Sequence, residues 1–274
     1  MQVGFQYSMT RNYYSDIVVK KRRNGLKRVG IVLLVIVCLI SVVALSDLFS
    51  TMLTTGRFSF SLFREKEYKF DSRVLYAVTM GESKDKFTAY TIASGASILG
   101  AGGYVWYEND NYIVIANIYQ SKEDATKVLE NISTTEHSTS ILEIDLDSFD
   151  IGQFDMEKTE KESIYKAVSR IYQLYTELYD MSNNIDTKKI TYIQASSIIN
   201  SYKSECKVIK SSIGEIYSRY NDDELRRIES AYVHIIEILD SLVYKLLEGN
   251  QTTSVVKHGE IDVVYRLNEL LQSL

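Results

Sequence analysis

Proline is absent from this chain of 274 residues, where an ordinary composition supplies on the order of 14. That excludes a PxxP ligand segment, a collagenous chain and a cis-proline switch. Cysteine is nearly absent too. Cys38 and Cys206 are too few for a disulfide framework or a Cys-rich zinc module. His137, His234 and His258 fall in different segments and form no HExxH pair, so no metal is implied. No GxSxG elbow and no CxxC occur. The glycines between Gly95 and Gly103 lack the Lys-Ser/Thr of a phosphate loop and read as a helix end. Glu143, Asp145, Asp147 and Asp150 read as a solvated strand face, not as the acid–base pair of a glycosidase. The chain is therefore expected to be no enzyme and to hold no cofactor.

What is present is lopsided. Residues 1–28 carry seven basic side chains and one acid, a net +6, so the remaining residues carry a net −11. A phosphate-reading surface needs a basic field, which the acidic body lacks, so nucleic acid is excluded as its partner. Val29 to Ser46 is an uncharged run of 18 residues, about 27 Å as a helix, which is long enough to cross a bilayer's hydrocarbon core. The basic cluster Lys20–Arg28 precedes it, so the positive-inside rule expects residues 1–28 in the cytoplasm and all that follows outside. The expected localisation is the cell membrane, with a single span. Ala44-Leu45-Ser46 would also suit a signal-peptidase cut, but the long leading segment favours an uncleaved anchor. Cys38 lies within the run as a small apolar filler. Residues 47–73 read as a tether, with Phe58, Phe60, Phe63 and Phe70 scattered along it.

Residues 74–148 change rhythm. Val74 to Met80 is β-rich, and Ser83 to Leu99 has helical spacing closed by Gly100-Ala-Gly-Gly103. Tyr104–Tyr107 and Tyr112–Ala116 flank the turn cluster Glu108-Asn-Asp-Asn111 as a hairpin. Ser121-Lys-Glu-Asp124 opens a second helix with the pattern of a capping box. Ile141 to Leu146 supplies a fourth strand. The order β-α-β-β-α-β makes an antiparallel sheet with two helices on one face. Strand alternation points Tyr76, Val78, Met80, Val114 and Ala116 at those helices and leaves Ala77, Thr79, Ile113 and Ile115 on the other face.

Two motifs in this segment, Tyr76-Ala-Val-Thr-Met-Gly-Glu-Ser83 and Tyr112-Ile-Val-Ile-Ala-Asn-Ile-Tyr119 followed by Ser121-Lys-Glu-Asp-Ala125, resemble those of the SPOR (sporulation-related) family, small bacterial modules of this element order. About 75 residues are covered. Thr79 stands where the family has Gln, Ile113 and Ile115 where it has polar or basic residues, and Asn117-Ile118 where it has Gly-Pro. The resemblance implies binding of peptidoglycan glycan strands, with a division or sporulation role, and a groove across the open sheet face. The residues expected there are Ala77, Thr79, Ile113, Ile115 and Trp106, the last as a stacking plane or as core. An open face this apolar equally suits a packing or partner surface. The alternative function is therefore protein–protein assembly without glycan binding.

From Met156 onward the spacing is helical throughout. Ile164, Val168, Ile171, Tyr175 and Leu178 form one stripe, and Ile209, Ile213, Ile216 and Tyr220 a second. Leu225, Ile228, Tyr232, Ile235, Leu239, Leu242 and Leu246 keep a 3–4 alternation. Val255 to Leu274 makes a fourth helix with Ile261, Val264, Leu267 and Leu271. Residues 157–274 are thus expected to be an all-α bundle that engages partners or a second copy. Cys206 reads as a buried small residue or as an intermolecular disulfide. The expected fold is an α+β SPOR-like domain, preceded by one transmembrane helix and followed by that bundle.

Overall fold

The structure, a computed structural model, describes residues 68–132, 138–248 and 252–274. Two residues of strand, β1 (Lys69–Phe70), lead into the long β2 (Arg73–Ser83). Asp85 then accepts hydrogen bonds from both the backbone N–H and the hydroxyl of Thr88, which starts α1 (Lys86–Ile98). β3 (Tyr104–Glu108) and β4 (Asn111–Tyr119) follow as a hairpin. Its two turn residues, Asn109 and Asp110, have φ of 49° and 60°. Both central positions of a type I′ turn need positive φ, and Asn and Asp tolerate it. Ser121 caps α2 (Lys122–Ile132) by accepting from the Asp124 N–H. β5 (Ser140–Leu146) and β6 (Phe149–Asp150) complete the strands.

Four of these strands form an antiparallel sheet in the order β3-β4-β2-β5, while β1 and β6 pair as a separate ribbon. One face of the larger sheet packs on α1 and α2 through small residues. Val78, Met80, Val114 and Ala116 meet Ala89, Ala93, Ala96 and Ala125.

The rest is helical: α3 (Lys158–Asp186), α4 (Tyr192–Tyr220), α5 (Asp223–Leu247) and α6 (Thr253–Ser273). Thr191 and Gln194 form a reciprocal capping box at the head of α4. Asn221 closes α4 in the left-handed conformation, and Asp222 accepts from two backbone N–H groups to open α5. The 3–4 stripe of α5, from Leu225 to Leu246, is its buried seam. α6 differs from the other three because it is buried or half-buried on almost every side, polar residues such as Ser254, Glu260 and Asn268 included. It lies against α3 and α5 on one side and against β3, β4 and β5 on the other. α5 approaches so closely that a Cβ added at Gly259 would sit 2.7 Å from Leu242.

These findings correct the expected fold class. The helices do not form a bundle that follows a separate sheet domain. Leu75, Ala77, Trp106, Ile115, Ile118, Ile144 and Leu146 share one continuous core with α3, α4, α5 and α6. A second, two-stranded sheet is also present. Among the described residues no helix is long and apolar enough to cross a membrane. The run 29–46, the basic segment 1–28, Cys38 and the phenylalanines at 58, 60 and 63 lie outside the described residues. The physical reason for the merger is α6, which presents apolar residues in two directions: Ile261 and Tyr265 meet Gly102 and Trp106 on the sheet side, while Gly259 receives Leu242 of α5.

Candidate functional site

The face of the sheet turned away from α1 and α2 is where a ligand groove is expected. Its side chains are set by strand alternation and by two irregularities, one between Val78 and Thr79 and one between Thr79 and Glu82. In the β2–β4 pairing Ala77 faces Ile118 and Val78 faces Asn117, but Thr79 faces Ile115, so Ala116 is an extra residue. This bulge lets Ile115 and Ile118, three positions apart, point to the same face. The carbonyl of Ala116 accepts a hydrogen bond from the Gly102 N–H at 2.6 Å, which ties the loop after α1 to the bulge.

α6 fills that face. Ala77, Ile115 and Trp106 are buried in the core that α6 belongs to, and Ile113 is partly buried against it. The Trp106 ring meets Tyr265 of α6 edge to face, with centroids 4.8 Å apart, so its packing is intramolecular. Thr79 is buried as well. Its hydroxyl donates to the Ser140 carbonyl at 3.2 Å and accepts from the Ser140 N–H at 3.1 Å. Those two bonds leave it little capacity for a sugar hydroxyl. Thr79 and Ile113 do line one recess of about 330 Å³, with Glu82, Ser138, Ser140 and Leu142, at the end of the sheet that α6 leaves uncovered. The five expected residues thus share one face, but three are sealed and two sit at its margin.

Polar contacts fasten the lid. The Tyr104 hydroxyl donates to Asp262 at 3.0 Å, and burial with the neighbouring Asp262 charge raises the phenol well above its usual range. Lys257 donates to the Gly100 carbonyl at 3.1 Å and to Asp186 at 2.9 Å. His258 Nδ1 lies 3.0 Å from the Gly102 carbonyl, and burial holds its imidazole below the usual range. Gly102 must be glycine for this approach. An added Cβ would lie 2.5 Å from Ile261 Cδ1 and 3.1 Å from the Ala116 carbonyl oxygen.

One group on α6 does not fit that pattern. Glu260 is fully buried, and neither carboxylate oxygen has a hydrogen-bond partner. Its burial raises its carboxyl well above the usual range, Lys257 opposes the rise, and Asp180 adds to it. The Tyr175 hydroxyl is likewise buried and unpartnered, and burial and then the Glu260 charge push it upward. Residue type hides such a site: helical spacing sets Glu260 beside the buried Val256, Val263 and Val264, whereas a Glu is ordinarily exposed. A fully buried carboxylic acid at neutral pH holds its proton.

Elsewhere, no three His, Cys, Asp or Glu side chains come together in a group able to hold a metal ion, among the described residues. Cys206 is buried and unpaired, and burial pushes its thiol up to about 11. That position suits the small buried residue of the two sequence readings. His137 lies outside the described residues, and His234 is exposed on α5 beside Glu237. Comparison with protein-family models, with curated proteins and with solved structures finds no match for the chain.

Proposed function

We propose that the described body is a non-catalytic protein–protein interaction module. The observation that carries this reading is the filled sheet face. A glycan strand needs an accessible trough with free hydrogen-bond partners and apolar planes. Here Ala77, Ile115 and Trp106 are buried in the core that α6 completes, Trp106 directly against Tyr265, and the Thr79 hydroxyl is committed to Ser140. The expectation of glycan binding that follows from the SPOR resemblance would require α6 to leave. The α6–sheet contact is a continuous core fastened by Tyr104–Asp262 and by Lys257 to the Gly100 carbonyl in the loop after α1, and its release would expose that core to water.

Surface composition points the same way. The face of α1 away from the sheet displays Phe87, Tyr90, Ile98 and Leu99. Apolar groupings of this kind mark association surfaces.

Sedimentation with peptidoglycan sacculi tests the proposal. The full chain should stay in the supernatant with intact sacculi and with amidase-treated ones alike. Saturable co-sedimentation with the treated sacculi would overturn the assembly reading in favour of glycan binding.

A further inference from the structure

α1 is inverted relative to an ordinary surface helix. Its buried residues are Ala89, Ala93 and Ala96, the smallest available. Of its large apolar residues only Ile92 is half-buried against the core; Phe87 is 80% exposed, Tyr90 54%, Ile98 84% and Leu99, at its C-cap, 73%. Surface helices normally place their bulky apolar residues inward. Phe87, Tyr90 and Thr91, Ser94, and Ile98 lie three or four residues apart along the helix, so they share a face. Gly95 beside them is open, and an added Cβ there would meet nothing within 4 Å. Large residues thus sit at the two ends of the stripe and small ones in its middle.

Charge narrows the occupant. Residues 68–274 carry 21 basic and 32 acidic side chains, which opposes the approach of a second copy over most of the surface. α1 is the exception, since Lys86 is its only charged residue. We propose that α1 is a self-association surface, on which a second copy of this chain packs its own α1 antiparallel across a twofold axis near Thr91 and Ser94.

A twofold contact must be self-complementary, and this stripe is. In the antiparallel register centred there, Phe87 of each copy lies over Ile98 of the other. Each Tyr90 ring lies over the other copy's Gly95, where no side chain intervenes, and Thr91 meets Ser94 at the axis. Lys86 lands beside the far end of the opposite helix, where the exposed carbonyls favour a cation. Neither copy brings an acid from within α1 to the contact. This inference rests on the proposed assembly function and names its partner.

Sedimentation equilibrium of the full chain tests it. The wild-type chain should show a reversible monomer–dimer equilibrium. Phe87→Lys and Ile98→Glu should each weaken the dimer by at least about tenfold, since each removes two symmetric apolar contacts and adds a charge. Both positions are exposed, so unchanged circular dichroism and melting should accompany the loss. The double variant places Lys opposite Glu twice across the axis and should recover most of the affinity. A chain that stays monomeric at about 100 μM, far above the micromolar range of weak complexes, would overturn the proposal. So would a dimer indifferent to Ile98→Glu, or a double variant no better than the single ones. Failure here leaves the sacculus result untouched, whereas sacculus binding would remove the assembly reading itself.

Discussion

Replacing Glu260 by Gln should flatten the pH dependence of stability and stabilise the protein at neutral pH. The carboxyl is fully buried, neither oxygen has a partner, and its burial holds the proton on it. In the unfolded chain the same group ionises near its ordinary value of about 4.3. Below that pH both states carry the proton, and Glu260 adds no pH dependence. Above it the unfolded state has released a proton that the folded state keeps. Stability then falls as pH rises, by about 1.4 kcal/mol per pH unit for one proton, until the folded carboxyl itself ionises. His258, two residues earlier, acts with the opposite sign. Burial lowers its pKa, so its contribution is present above the unfolded value of about 6.5 and is lost as pH falls through the depressed folded value. The two slopes oppose one another between the depressed folded value of His258 and about pH 6.5, and above that only the Glu260 slope persists. Gln preserves the shape and titrates nowhere in this range. Urea unfolding followed by circular dichroism, at a series of pH values for both proteins, gives the two slopes. The reasoning fails if the Gln variant keeps the wild-type slope above pH 6.5, or if it is less stable than the wild type at pH 7.5.

Three further outcomes can be checked with standard measurements. Gly102→Ala should destabilise by about 1–3 kcal/mol in urea unfolding, because the new methyl overpacks Ile261 and forces α6 from the sheet. Tyr232→Phe should cost about 1 kcal/mol in the same assay, since the hydroxyl donates a buried hydrogen bond to the Ala167 carbonyl at 2.8 Å. In a Cys38→Ser background, Cys206 should react with an aromatic disulfide reagent only on unfolding. Its burial and a thiol pushed up to about 11 leave almost no accessible thiolate at neutral pH.

Local signals in the sequence carried far. The turn at Asn109-Asp110, the cap at Ser121 and the seam from Leu225 to Leu246 each involve interactions within a few residues, and each has a compositional mark. Face assignment was also legible, because alternation alone separates Val78 and Val114 from Ala77 and Ile115. What closes the second face was not. The contact between Trp106 and Tyr265 spans a separation no periodicity encodes. α6 reads like a fourth bundle helix from Ile261, Val264, Leu267 and Leu271, yet Ile261 meets Gly102 and Tyr265 meets Trp106 on the sheet side. The extra residue at Ala116 was equally silent, since a bulge shows only once both strands are paired. Glu260 was missed because burial, not residue type, makes it unusual.

The order of synthesis gives the α6–sheet contact a temporal meaning. The sheet is complete when Leu146 has been made, yet the helix that covers its apolar side ends at Ser273. At ribosomal speeds of about 5–20 residues per second, that side waits roughly 6–25 s for its cover. During that interval Trp106 lacks its native partner Tyr265, and Ile115 lacks the core that α6 completes. A stalled or prematurely terminated chain would present them indefinitely as a target for chaperones and proteases. The same separation makes the contact a high-contact-order step, expected to form late and slowly when the denatured protein refolds.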